Sequence, residues 1–477
     1  MSMSAALANA LTGLGAVGRS AQSVSSNISN SLTEGFGRRE ISLSSASLGG
    51  VRVSGELRIV NAVVLSDRRQ SDAEVGMFGS ALSFHRSFQD ALGAADSPFS
   101  LPGRIATLEG RLIEAASRPD ATTRLDSVAH GAADLARSFN TAATAVQAQR
   151  LSADGRIAAQ VDTLKTNLGQ IRDLNGAIAR IQLNTPQSNA LLDQRQQLID
   201  EISMIVPLRE LPRDRGSVAL MTTGGQVLLD NGVADIEFSP ANAVTPGMTP
   251  GSGLSDLTIN GRPIVFRDGT GRMDGGSLAG DFQVRDVLAP AAQDQLDDLA
   301  ADLIGRFQQS GLDSTLGAGD AGLFTDGGDA LVPPASVGLA QRLTLNARVD
   351  PGAGGEAWRL RDGINANIPG PVGNSALLQG LSDALGASRP AFSDGRTRSA
   401  AGHASELLSV VGGANFRAEQ ASTFAQSRSD TLRQRELAGG VDSDQEMQKL
   451  LLIEQSYAAN ARVIQAVDEM LRRLTEI

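Results

Sequence analysis

Few side chains in this sequence have the type and spacing that catalytic or metal-binding chemistry requires. The 477 residues include no cysteine, which excludes thiolate metal sites, disulfides and cysteine nucleophiles. The three histidines are far apart in the sequence, at positions 85, 130 and 403, and His85 lies within an apolar helical stripe. We therefore expect no metal site, no cofactor and no catalytic residues.

Two segments rich in glycine and aspartate match ligand-binding motifs only in their letters. Gly317, Gly319 and Gly322 have the spacing of a dinucleotide fingerprint, but no apolar strand precedes them and no helical pattern follows. Asp313 and Asp320 do not follow the spacing of an EF-hand loop, and turn chemistry explains aspartate beside glycine. Four further aspartates are interpreted as the solvated face of a helix: Asp294, Asp297, Asp298 and Asp302.

Composition narrows the possible classes of protein. The chain carries 42 Lys and Arg against 53 Asp and Glu, a formal net charge of −11, which argues against nucleic acid as a partner. No apolar run approaches the roughly 18–20 residues that span a bilayer, so no membrane contact is expected. The first residues lack the basic and apolar regions of a cleaved signal peptide. The chain is expected to be cytosolic or to be exported without such a signal.

The elements with the strongest pattern lie at the two chain ends, where apolar residues recur every three or four positions. This spacing is typical of a helix that packs against another helix. Gly13, Gly15 and Gly18 weaken the first helix, so it needs a partner. Two interpretations stay open: ordinary core helices, or a terminal pair that is loose until it assembles with other subunits. The two stripes predicted to pack subunits are Met3, Leu7, Leu14, Val17, Val24 and Ile28, and Leu450, Tyr457, Asn460, Arg462, Ile464 and Leu471.

The residues beside these stripes carry a resemblance to a known superfamily. The segment that contains Asn27, Asn30, Gly35, Phe36 and Arg38 resembles the signature of flagellar rod and hook axial proteins. It departs from that signature at Glu34, where the superfamily has proline, and at Phe36, where it has tyrosine. The C-terminal helix is similar to that of the same superfamily, on a run of residues that includes Tyr457, Asn460, Arg462 and Ile464.

An internal segment points to one family within that superfamily. Leu191, Leu192, Asp193, Gln194 and Arg195 resemble a motif of the hook-associated protein 1 family, which forms the hook–filament junction. The resemblance implies a non-enzymatic structural subunit that is secreted through the flagellar type III channel to the extracellular flagellum. It also implies self-association, contacts with hook protein and hook-associated protein 3, and an export chaperone on the C-terminal helix.

Three alternatives remain at this point. Another axial protein, such as hook protein or hook-associated protein 3, would share the terminal segments. A wall-degrading hydrolase associated with the flagellum would need paired carboxylates in a cleft, and no segment singles out such a pair. An adhesin-like surface module in the β-rich region 211–285 would be compatible with the junction role.

The predicted fold class is α+β, mainly α, in an elongated multi-domain chain. Both chain ends form a long helical bundle with coiled-coil-like packing, and a smaller β-rich domain is nested between helical segments. Tight hairpins are predicted at Asn260-Gly261 and Asp268-Gly269. The predicted domains are a terminal axial domain with an extended linker (1–59 and 437–477), a helical rod (60–210, 286–310 and 375–436) and a β-rich distal part (211–285 and 311–374).

Overall fold

The structure is a computed structural model that describes residues 3–47, 49–266, 271–333, 337–390 and 395–475. It is 61% helical and 12% strand, with long helices at both ends and small β-sheets between them. The predicted fold class, mainly α with some β, is confirmed.

Long helices form the frame of the molecule. The short helices between them are confined to the connecting segments. The helices are α1 (Met3–Ser29), α2 (Ala62–Leu92), α3 (Leu101–Ser117), α4 (Thr122–Ile178), α5 (Pro186–Ile205), α6 (Gly276–Gln283), α7 (Ala289–Phe307), α8 (Leu339–Arg342), α9 (Arg359–Asp362), α10 (Ala376–Gly386), α11 (Ala400–Ala438) and α12 (Ser443–Thr475).

The longest helix, α4, has 57 residues and is therefore roughly 85 Å long at 1.5 Å per residue. It is continuous through residues 143–156, where the sequence shows a weaker stripe than on either side. It ends at Ile178, eight residues before Pro186. Pro186 is the first residue of α5, whose start is capped by Thr185. Proline suits this position because the first helical N–H has no partner within the helix.

Helices α2 and α11 run antiparallel to each other, and both also contact α4 or its neighbours. Ser71 Oγ donates to the carbonyl of Ala425, and farther along α2 the side chains of Gln89 and Asn415 are hydrogen bonded. The chain thus leaves the terminal region along α2 and returns to it along α11.

Two hydrophobic clusters divide the molecule along α4. The first contains α4 residues from Leu125 to Ala153, with parts of α2, α3, α7, α10 and α11. The second contains α4 residues from Ile157 to Ile171, together with α5 and the sheets that follow it. The two halves of α4 therefore belong to separate hydrophobic cores.

The strands form small antiparallel sheets and one short parallel pair. The first hairpin confirms the extended segment predicted after α1. The strands are β1 (Arg38–Ser45), β2 (Val51–Ile59), β3 (Leu208–Pro212), β4 (Val218–Thr222), β5 (Val227–Leu229), β6 (Ile236–Glu237), β7 (Thr249–Pro250), β8 (Gly253–Leu254), β9 (Leu257–Ile259), β10 (Arg262–Ile264), β11 (Phe324–Asp326), β12 (Leu343–Leu345), β13 (Arg389–Pro390) and β14 (Thr397–Arg398).

The two β-rich stretches lie against different halves of α4, although the sequence grouped them into one distal part. Strands β3–β6, β9 and β10 contribute to the second cluster, whereas β11 and β12 contribute to the first. Asn260 and Gly261 both have positive φ in the β9–β10 turn, as a tight hairpin requires. The other predicted hairpin, Asp268-Gly269, lies outside the described residues.

The aspartates of α7 are only partly a solvated face, so that prediction was wrong for two of the four. Asp297 is buried and accepts from the N–H groups of Gly338 and Ala340, at 2.6 and 2.8 Å. The Asp302 side chain is 3% exposed and pairs with Arg306. Burial raises the pKa of Asp297. Helical structure also begins earlier than predicted, at Gly276, and a π-helical turn at Val284–Leu288 joins α6 to α7.

Candidate assembly interface

The end of α1 is joined to the first hairpin through one buried amide side chain. Asn27 is fully buried; its Nδ2 donates to the carbonyl of Arg39 at 2.9 Å, and its Oδ1 accepts from the Arg39 N–H at 2.7 Å. This pair of bonds satisfies a backbone segment that leaves the helix, in the manner expected of buried polar groups. Asn27 therefore fixes the direction in which the chain leaves α1.

The same amide connects the two ends of the chain. Asn27 Nδ2 also donates to Glu446 Oε2 at 2.9 Å. Glu446 lies in the first turn of α12 with its side chain 1% exposed, and Lys449 Nζ donates to Glu446 Oε1 at 2.6 Å. Arg38 lies 3.8 Å from the same carboxylate. A buried charge is tolerated when it is paired and hydrogen bonded, and Glu446 is both.

Asp193 of α5 joins the hairpin to the helical rod. It accepts from the Gly37 N–H at 3.0 Å and from Arg58 Nε at 2.7 Å, and it forms an ion pair with Arg39. Glu56 lies 3.7 Å from the other side of Arg39. Burial lowers the pKa of Arg39, and the Asp193 charge opposes that shift. We call Arg39, Arg58 and Asp193 the linker cluster.

Two residues of the N-terminal motif, Gly35 and Phe36, lie beside the linker cluster. Gly35 has φ +77 and its carbonyl accepts from Arg58 at 3.3 Å, while the Phe36 ring lies 4.8 Å under the Arg39 guanidinium. Asn30 donates to the carbonyl of Ser26. The structure thus brings together two motifs that are about 155 residues apart in the sequence.

Arg195, two residues after Asp193, faces the opposite way into the core. It is buried and donates to Asn175 Oδ1 and to the carbonyl of Gly216, each at 2.8 Å. Burial lowers its pKa to about 10, with Glu210 opposing the shift. Arg195 therefore holds α5 against the end of α4.

A second cluster lies two helical turns along α5, where Asp200 pairs with two consecutive arginines of α2. Arg68 Nη2 is 2.8 Å from Asp200 Oδ2 and Arg69 Nε is 2.5 Å from Asp200 Oδ1. Arg68 also pairs with Glu436 near the end of α11. Burial opposes the charge of Arg68, but Asp200, Glu436 and Asp72 raise its pKa; burial raises the pKa of Glu436. These pairs fasten the start of α2 and the end of α11 to α5.

The terminal helices α1 and α12 pack antiparallel along each other. Gly13 faces Asn460, and a Cβ at Gly13 would lie 2.9 Å from Asn460 Oδ1. The glycine that weakens α1 as an isolated helix thus allows close approach of α12. Among the predicted packing residues of α1, Val24 is buried and the rest are half-buried: Met3, Leu7, Leu14, Val17 and Ile28.

The α12 side of this pair is much less covered. Leu450, Asn460 and Ile464 are half-buried, whereas Tyr457 is 55% and Leu471 43% exposed. Arg462 is also exposed. Other large apolar side chains of α12 are exposed as well: Met447, Leu451, Leu452, Val463 and Met470. An apolar surface of this kind on a helix marks an interaction site.

Sequence reasoning missed three residues of this interface. Glu446 was passed over because a glutamate in the first turn of a helix is usually solvated. Arg39 was not among the predicted site residues, and the structure pairs it with Asp193. Arg58 lies in β2, where no spacing rule relates it to Asp193. The sequence signal that could have found these residues is the adjacent pair Arg38-Arg39, whose charge is opposite to that of Asp193 in the α5 motif.

Within the described ranges, no group of three or more histidine, aspartate or glutamate side chains is arranged to hold a metal ion. Across the same residues, no helix has the length and apolarity needed to cross a bilayer.

Comparison with protein-family models finds matches to the C-terminal end and to the middle of the chain. Residues 438–477 match the C-terminal region of the flagellar basal body rod FlgEFG proteins, which places the chain among flagellar axial proteins. Residues 88–324 match the helical domain of the flagellar hook-associated protein FlgK. The chain belongs to the FlgK family of flagellar hook-associated proteins.

Individual relatives agree with this assignment. Flagellar hook-associated protein 1 of Salmonella typhimurium is 28% identical over 246 residues, covering 49% of this chain and 44% of the relative. The Escherichia coli protein of the same name is 26% identical over 259 residues, covering 52% and 47%. The matched region thus spans less than half the length of these curated relatives.

One solved structure, described as the flagellar hook junction protein FlgK from Burkholderia pseudomallei, is also similar. It is 19% identical to this chain, with a TM-score of 0.43, and the match covers 55% of this chain and 46% of that one.

Proposed function

We propose that this chain is a non-enzymatic structural subunit of the bacterial flagellum that joins the hook to the filament. The observation that carries the proposal is the match of the middle of the chain to the hook-associated helical domain, with a rod-type C-terminal helix that packs on the N-terminal helix. The alternatives, another axial protein or a flagellum-associated hydrolase, have less support from the sequence.

Assembly would proceed through the terminal pair. The exposed apolar side chains of α12 gain free energy when a neighbouring subunit covers them, at about 25 cal/mol per Å² of apolar surface. An isolated α1, weakened by its glycines, is marginal in water. Ordering of both helices would therefore be favoured where a neighbour is present, which confines assembly to the growing tip.

The proposed partners follow from this role. They are other copies of the chain, hook protein on one side and hook-associated protein 3 on the other. An export chaperone would cover the exposed face of α12 before assembly, and the chain would leave the cell through the flagellar export channel without a cleaved signal. The residues proposed to pack subunits are those of the two predicted stripes.

Deletion of residues 443–477 tests the role of the terminal pair. We expect a folded middle, since the two hydrophobic clusters contain no residue of α12. The truncated chain should be absent from isolated hook–basal bodies, as judged by immunolabelling. Filaments that grow normally on the truncated protein would contradict the proposal. Labelling of the full-length chain along the whole hook would indicate that the chain is hook protein instead.

A point substitution separates assembly from folding. Ile464→Asp places a charge on the half-buried face of α12, so we expect a loss of junction assembly with little change in the melting temperature of the monomer. Gln465→Asp, at the exposed neighbouring position, is the control and should assemble. An equal loss of assembly and monomer stability in Ile464→Asp would indicate that α12 is an ordinary core helix.

A further inference from the structure

One residue of the α5 motif has no role inside the molecule. Leu191 and Leu192 are half-buried, Asp193 holds the linker cluster, and Arg195 donates into the core. Gln194 is exposed, and no hydrogen bond joins its side chain to any residue that the structure describes. Its amide is therefore free to bind a group from outside the chain.

Gln194 lies on the wall of a groove between the end of α1, the first hairpin and α5. The groove has a volume of about 410 Å³. Both family motifs line it, and its walls include Ser26, Asn30, Phe36, Gln194 and Gln197. An α-helix is about 10–12 Å across, so roughly one helical turn would fill this volume. The groove therefore suits a short segment and not a long helix.

Two buried polar atoms beside the groove lack a partner. Ser23 Oγ and Arg39 Nη1 make no hydrogen bond with the described part of the chain, and both residues line the groove. The Arg39 side chain is 6% exposed. Buried donors without acceptors are costly, and an acceptor placed in the groove would remove that cost after a small movement of either side chain.

The charges of the groove decide what kind of segment it accepts. Arg39 already pairs with Asp193 through Nη2 and lies 3.7 Å from Glu56 at Nε, so an added charged group would compete with an existing ion pair. The remaining polar groups of the walls are amides and hydroxyls, which both donate and accept. The apolar part of the walls consists of the Phe36 ring with Pro186 and Ala190. An uncharged peptide backbone, which offers carbonyl oxygens and N–H groups, matches this set.

We propose that this groove is a docking site for a short, uncharged main-chain segment of a neighbouring axial subunit, with Gln194 as a recognition residue. The inference rests on the proposed function, because the neighbouring subunit is present only in the assembled flagellum. The carbonyl oxygens of the segment accept from Gln194, Arg39 and Ser23, while its flanking side chains lie over Phe36.

The absence of cysteine from the natural sequence makes single introduced thiols specific probes. Gln194→Cys places a thiol at the groove, and Gln170→Cys places one at an exposed position of α4 as the matched control. The rate of maleimide labelling is measured for each variant as a free full-length chain and within isolated hook–basal bodies. We expect labelling at position 194 to slow at least about tenfold on assembly, with a change below about twofold at position 170.

The outcomes separate this inference from the proposed function. If the unsubstituted chain is found at the junction and position 194 labels as fast as in the free chain, the groove is not a docking site. Equal protection of both positions also overturns the inference, because coverage would then not be specific to the groove. If the unsubstituted chain is absent from the junction, the proposed function itself fails.

A substitution adds a second readout. Gln194→Ala should reduce the amount of chain recovered in isolated hook–basal bodies several-fold, with the melting temperature of the monomer unchanged because Gln194 is exposed. Gln170→Ala should change neither quantity. Recovery of Gln194→Ala at the unsubstituted level would count against the proposal.

Discussion

The rod helix α4 and the terminal helix α12 have similar apolar periodicity but very different surroundings. Along α4 most large apolar side chains are buried, and Phe139, Leu164 and Ile171 have no exposed surface. Helix α12 buries Glu446 and Val467, while Leu452 and Tyr457 are more than half exposed. The two helices therefore differ in how many neighbouring elements surround them and not in their apolar periodicity.

This difference shows how one chain combines a stable helical rod with terminal helices that are available for assembly. Helix α4 is surrounded by α3, α5, α7 and the sheets, so its stability is internal to the subunit. Helices α1 and α12, in contrast, pack mainly on each other, and the linker cluster lies where the chain leaves α1. Regions with few buried apolar contacts open most readily, which is the property that assembly-dependent ordering requires.

The largest expected effect is in the rod. Phe139→Ala removes a fully buried ring from the first hydrophobic cluster and should lower the free energy of unfolding by about 3–5 kcal/mol. Chemical denaturation of the purified monomer measures this. A loss below about 1 kcal/mol would show that α4 is not the stable helical rod, and the comparison between the two regions would fail.

The next effect concerns the connection between the two regions. Asp193→Asn keeps an acceptor for the Gly37 N–H but leaves Arg39 and Arg58 without their shared carboxylate. Because the Asp193 side chain is 14% exposed, we expect a loss of roughly 2–3 kcal/mol, below the full cost of breaking a buried pair.

The control for this prediction is Asp173→Asn, which removes an exposed pair with Arg172 on the same kind of helical surface. Exposed ion pairs contribute little, so the unfolding free energy should change by less than about 0.5 kcal/mol. Equal effects of the two substitutions would mean that the linker cluster does not couple the regions.

A smaller effect is expected at the base of the terminal pair. Glu446→Gln keeps an oxygen that accepts from Asn27 but removes the charge that pairs with Lys449. We expect α12 to exchange its amide hydrogens about fivefold faster, equivalent to ~1 kcal/mol of local opening. Glu454→Gln, at an exposed position of α12, should leave exchange unchanged. Uniformly faster exchange in α4 as well would contradict a local role.

The smallest effect is a pH dependence within the rod. Burial, with the charge of Arg417, lowers the pKa of His85 below the ordinary histidine value of 6.5. Protonation therefore favours the unfolded chain, so the contribution of His85 is complete above about pH 6.5 and is lost as the pH falls through its lowered pKa. His85→Gln should flatten the stability profile in this range. An unchanged profile would show that the pKa of His85 is the same in the folded and the unfolded chain.

How much of the fold could be predicted from the sequence depends on how far apart in the sequence the contacting residues lie. The helices and the β9–β10 turn follow from local periodicity and from the Asn260-Gly261 pair, so the sequence sufficed. The burial of Asp297 and Arg195 depends on partners at Gly338 and Asn175, which local patterns do not relate to them. Helix residues of this type are usually solvated, and only the fold reverses that expectation.

The candidate interface shows the same limit. The resemblance selected Asn27 and Asp193, but their partners were not selected: Glu446, which contacts Asn27, comes from the far end of the chain, and Arg39, which pairs with Asp193, comes from a strand. The contact between Asn27 and Glu446 depends on the antiparallel packing of α1 and α12. The stripes likewise predicted contact between the two ends, whereas their degree of exposure depends on how many neighbours surround each helix.

Hydrogen exchange of the monomer and of the assembled flagellum tests the central claim most directly. In the monomer, α1 and α12 should exchange fast while the amides of α4 between Leu125 and Ile171 exchange slowly. In isolated hook–basal bodies both terminal helices should become protected, with little change in α4. Terminal helices that are as protected in the monomer as α4, or that stay unprotected after assembly, would contradict the account.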